Sequence, residues 1–152
     1  MREGEGSPAS SRLVGAKVLV AEDNALIAMD IETSLREQGC IVLGPTATIA
    51  ATLASLRHDR PDAALLDLHL LDGLATPIAA TLAAMGVPFA VLAGDRLDVL
   101  EDAALAGVPR IEKPWGADDV EQMVGQLLAS PAAGLSETLP AAAAASLQAT
   151  PV

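Results

Sequence analysis

Short, fully apolar runs alternate with longer amphipathic stretches along most of this chain, and that alternation restricts the fold more than any single motif. Val18-Leu19-Val20-Ala21, Ala63-Ala64-Leu65-Leu66 and Phe89-Ala90-Val91-Leu92-Ala93 show no polar alternation. A strand of that kind is buried on both faces, as in a parallel sheet covered by helices on either side. The pattern predicts strands at 17–21, 40–43, 62–67, 88–93 and 108–111, the second ended by Gly44-Pro45. It predicts helices at 24–38, 47–58, 76–85, 96–106 and 118–129, with apolar residues on one face of each, such as Ile27, Ile31 and Leu35 in the first. Five strand–helix units with right-handed crossovers give an α/β doubly wound five-stranded parallel sheet with five helices. Ligands in such folds bind outside the carboxyl ends of the strands, where the winding reverses.

At 152 residues the chain accommodates one domain with extensions. Residues 1–15, with Gly4, Gly6, Pro8 and several serines, read as a disordered leader. Residues 16–130 form the domain, and 131–152 read as an Ala/Pro-rich, mostly disordered tail. The core is aliphatic, since Phe89 and Trp115 are the only aromatics. Net charge −11 argues against nucleic acid, whose phosphates need clustered Lys and Arg. Cys40 is the only cysteine, so no internal disulfide forms and a cytoplasmic location is expected. The polar first residues lack the apolar stretch of a secretory signal. No run approaches the roughly 18 apolar residues of a membrane helix, so no membrane association is expected.

Acidic residues close two of the apolar runs. Glu22-Asp23 follows the first strand and Asp67 ends the third, while Lys113-Pro114 follows the fifth. Carboxylates gathered at one edge of a sheet repel one another unless a cation joins them. Carboxylate, carbonyl and water oxygens suit magnesium, which lets an anionic phosphoryl donor approach an anionic nucleophile. An aspartate serves as such a nucleophile by forming an acyl phosphate, and lysine supplies a compact counter-charge.

On Val18-Leu19-Val20-Ala21-Glu22-Asp23-Asn24, Leu65-Leu66-Asp67-Leu68 with Gly73, and Lys113-Pro114-Trp115, residues 16–129 resemble the receiver domain of two-component response regulators. The resemblance implies a flavodoxin-like sheet of order 2-1-3-4-5 and phosphorylation of Asp67 by a sensor histidine kinase or phosphotransfer protein. It implies Mg2+ held by Asp23, Asp67 and the backbone carbonyl of His69, with Glu22 acting mainly through water. Lys113 contacts the phosphoryl group on this reading, and the peptide bond before Pro114 is often cis in the family. The domain then signals by contact, without enzymatic turnover beyond hydrolysis of its own phosphoryl group, which His69 and Ala93 would flank. Receivers often form homodimers through helix 4, strand 5 and helix 5, where Leu97 to Val99 would contribute.

Two positions depart from the family pattern. Ala93 stands where the fourth strand usually ends in Thr or Ser, and Arg110 where the fifth strand usually carries Tyr or Phe. Phosphorylation needs only the acids, the metal and the lysine, whereas coupling to the helix 4–strand 5–helix 5 face normally uses both missing residues. The leading expectation is a stand-alone response regulator; the alternative is a degenerate receiver that binds partners without phosphorylation. A haloacid-dehalogenase-type phosphatase needs a second aspartate where His69 stands, and a dinucleotide site needs glycines that the first strand-to-helix turn lacks. Individually, the motifs also have plainer readings. Asn24 is a candidate helix cap, Lys113-Pro114 a turn, and the side chains of His58 and His69 solvent-facing groups.

Overall fold

The computed structural model of the chain describes residues 12–93, 107–112 and 115–129. In chain order the elements are β1 (Lys17–Ala21), α1 (Ala25–Glu37), β2 (Ile41–Thr46), α2 (Ile49–His58), β3 (Ala63–Asp67), β4 (His69–Leu70), β5 (Gly73–Leu74), α3 (Thr76–Met85), β6 (Phe89–Ala93), β7 (Arg110–Glu112) and α4 (Ala117–Ala129). The main sheet is parallel, five-stranded and ordered β2-β1-β3-β6-β7. Its numbering runs beyond the expected 2-1-3-4-5 because a separate antiparallel hairpin, β4–β5, is inserted after β3. Four helices accompany the sheet among the described residues; the helix expected over 96–106 lies outside them.

Alternate residues of each central strand feed opposite sides of the sheet, as strand geometry requires. Val18, Val20, Ala63, Leu65, Ala90 and Leu92 join Ile31 and Leu35 of α1 and Val120, Val124 and Leu127 of α4 on one side. Leu19, Ala21, Ala64, Leu66, Phe89 and Val91 join Leu56 of α2 and Ile78, Ala79 and Leu82 of α3 on the other. All of these residues are buried, which explains why the runs carry no polar alternation. Complete burial of one such aliphatic side chain contributes about 1.5–3 kcal/mol.

Four boundaries differ from expectation, each for a local reason. Packing extends before residue 16: Leu13 is only 2% exposed and packs in the α1–α4 layer, and Gly15 N donates to Gly39 O at 2.8 Å. β2 passes through Gly44-Pro45 to Thr46. Gly44 takes φ +99°, a Cβ there would lie 2.8 Å from Thr46 N and 2.9 Å from Val20 O, and the pairing with β1 shifts register to continue. α2 starts at Ile49, two residues late, because Thr48 is its cap, accepting from Ala51 N. Cys40 precedes β2 rather than lying within it; it is buried, and burial pushes its thiol up to about 11. The other boundaries fall within two residues of expectation. The tail from 131 and residues 1–11 lie outside the described residues. No described helix is long and apolar enough to cross a membrane.

Candidate functional site

Sheet register assembles the acids. Ala21 pairs with Leu66 across the β1–β3 ladder, so the next residues, Glu22 and Asp67, sit at the same level of the sheet's carboxyl edge. Asp67 in turn pairs with Leu92, which brings the end of β6 to that edge. Two backbone anchors fix the turn after β1. Glu22 N donates to Thr46 O at 2.9 Å, and Asn24 caps α1 by accepting from Leu26 N at 3.0 Å and Ile27 N at 3.2 Å. The plain reading of Asn24 as a cap therefore holds, and the cap also turns the chain so that Asp23 stays at the pocket.

Glu22, Asp23 and Asp67 each place a carboxylate oxygen within 4.8 Å of the other two. Glu22 is 4% exposed; Asp23 and Asp67 are half-buried. Loss of water raises the Glu22 carboxyl to about 8; a hydrogen bond from Asn24 N at 3.0 Å opposes the rise, and Asp67 and Asp23 add to it. Without a cation, the surroundings of Glu22 thus favour its protonated form. His69 N donates to Asp67 Oδ1 at 3.1 Å and fixes the rotation of that carboxylate. The donor set is all oxygen, carries high negative charge and is partly dry. These are the properties that suit a hard divalent cation such as Mg2+.

Other expected residues fall as follows. Lys113 and Pro114 lie outside the described residues. Ala93 ends β6 and pairs with Glu112 of β7. Arg110 begins β7, is exposed and lines a shallow hollow with Ile111, Asp119, Gln122, Met123 and Gln126. Residues 97–99, expected at a dimer face, also lie outside the described residues. The His69 side chain departs from expectation: it is half-buried, and Nε2 is buried without a hydrogen-bond partner among the described residues. Pairing of His69 with Leu74 in the β4–β5 hairpin accounts for this, because it turns the segment into ordered structure instead of an open mouth.

Sequence reasoning missed the hairpin and one acid on it. Asp72, which the sequence does not single out, accepts from Ile49 N at 2.6 Å and Ala50 N at 3.2 Å. The available signal was negative: α2 has no acid in its own first turn, although a helix N-terminus attracts one.

No family model matches the chain, and no curated protein matches it. Solved structures do. The solution structure of SdrG from Sphingomonas melonis is 33% identical with a TM-score of 0.65, over 76% of this chain and 98% of that one. The response regulator PhyR from Brucella abortus is 26% identical with a TM-score of 0.69, over 91% of this chain. This chain spans 57% of the length of that PhyR. A response regulator receiver protein from Sinorhizobium medicae shares the fold, with a TM-score of 0.69 at 19% identity, over 77% of this chain and 97% of that one.

Proposed function

Because this chain belongs to the response regulator receiver-domain family, we propose that it accepts a phosphoryl group on Asp67 from a sensor histidine kinase or phosphotransfer protein and signals by protein contact. The observation that carries this reading is the convergence of Glu22, Asp23 and Asp67 within 4.8 Å at the carboxyl edge of the sheet. Asp23, Asp67 and the His69 carbonyl would hold Mg2+, with Glu22 beside them. The cation would supply the charge neutralisation that lets two anions meet.

The chain's own residues do the rest. Asp67 is the nucleophile: one carboxylate oxygen forms a bond to phosphorus as the donor's bond to phosphorus breaks, leaving a neutral imidazole from phosphohistidine or acetate from acetyl phosphate. The His69 amide, bonded to Oδ1, keeps the carboxylate oriented for that attack. Lys113, directly after β7 in sequence, provides the positive charge for the transferred group.

Incubation with MgCl2 and acetyl phosphate, followed by intact mass, tests the reading. A gain of one phosphoryl group that Asp67→Asn abolishes supports it. The alternative, a phosphorylation-independent binding module, is favoured by Ala93 and Arg110 at the positions of the usual relay. No adduct with any small-molecule donor or kinase decides for that alternative.

A further inference from the structure

Helix α2 draws its N-terminal hydrogen bonds from two places. Thr48 Oγ1 takes the Ala51 amide at 3.0 Å, as an ordinary cap does. The Ile49 and Ala50 amides, which Thr48 does not reach, are taken by the Asp72 carboxylate from the β4–β5 turn. That carboxylate also supplies the negative charge absent from the first turn of α2. These same amides, Ile49 first, hold the Asp72 carboxyl below the usual range. A third bond joins the same segments, Leu71 N to Ala47 O at 3.1 Å.

The turn fastened in this way is the one that leaves Asp67. Its base is held by His69 N on Asp67 Oδ1, by Ala75 N on Leu68 O at 2.9 Å, and by burial of Leu68 and Leu70 in the α2–α3 layer. Its tip is exposed, with Leu71 at 69% and Leu74 at 47%, and Gly73 adopts φ +136° there. Among the described residues, the tip's bonds to the rest of the fold are the ones that Asp72 and Leu71 make to 47–50.

The geometry points to Asp72 as a positioning residue for the acidic pocket: by tying the tip of the β4–β5 turn to the N-terminus of α2, it holds Asp67 and the backbone of His69 in the arrangement that takes the cation. This rests on the metal-dependent reading above, and acts through Asp67 and His69 without contact between Asp72 and the metal. Groups that orient metal ligands typically change affinity by about 10–100-fold when removed.

Calorimetric titration of the full chain with MgCl2, alongside hydrogen exchange, separates positioning from mere stability. Asp72→Ala and Thr48→Ala each remove a cap from α2, and both should lower the melting temperature. Asp72→Ala alone should raise the Mg2+ dissociation constant about tenfold and speed exchange of the amides of residues 69–74. Asp72→Asn, which keeps one acceptor oxygen, should fall between. Thr48→Ala should bind Mg2+ as the wild type does. Equal Mg2+ affinity in wild type and Asp72→Ala, with equal thermal losses in the two alanine variants, overturns the positioning role and leaves the metal reading intact. Wild type that binds no Mg2+ overturns both, while faster exchange of 69–74 in Asp72→Ala would still establish the tie itself.

Discussion

At Glu22 a carboxyl that is 4% exposed shares its surroundings with two others. Its folded-state value, about 8, lies above the ordinary 4.5. A carboxyl raised on folding favours the folded state while protonated, so its contribution is complete below about 4.5 and is lost as pH rises through about 8. Metal-free protein should therefore lose thermal stability across that window. Glu22→Gln should flatten the loss, and saturating Mg2+ should do the same for the wild type. Melting temperature against pH, in EDTA and in MgCl2, measures all three. A wild-type profile in EDTA that matches Glu22→Gln would mean that Glu22 does not hold the strained charge.

Elements explain why the site is where it is. β1 and β3 carry their acids to one edge because both are parallel, central and buried, and Leu65→Ala in β3 should cost about 2–5 kcal/mol in denaturant unfolding. Asn24→Ala removes the cap beside the pocket and should cost about 1 kcal/mol. The alternation of strands and helices was legible from apolar runs and periodicity, the strand order only through the receiver resemblance, and Glu22, Asp23 and Asp67 because their positions depend on strand ends. The β4–β5 hairpin and the role of Asp72 were not. Two-residue strands carry no period, and a carboxylate that caps a helix 22 residues upstream shows no local spacing. The passage of β2 through Gly44-Pro45 was hidden for a related reason. Glycine followed by proline reads as a stop, and only the register shift against β1 shows that pairing resumes at Thr46.

For the whole molecule, the proposed phosphorylation at one edge would have to reach a partner with Ala93 and Arg110 at the usual relay positions. Arg110 is exposed at the start of β7 and borders the hollow against α4. Arg110→Ala should leave the phosphoryl adduct intact and weaken any partner binding or self-association that phosphorylation induces. Concentration-dependent light scattering with and without a phosphoryl mimic checks the latter, and unchanged behaviour removes Arg110 from the output. All of this presupposes that Asp67 is the acceptor. The most direct test is reductive trapping: treat the chain with Mg2+ and acetyl phosphate, reduce any acyl phosphate with borohydride, and map the peptide that changes. The account predicts conversion of residue 67 to homoserine, dependent on Mg2+. Conversion elsewhere, or none in protein that binds Mg2+, would contradict it.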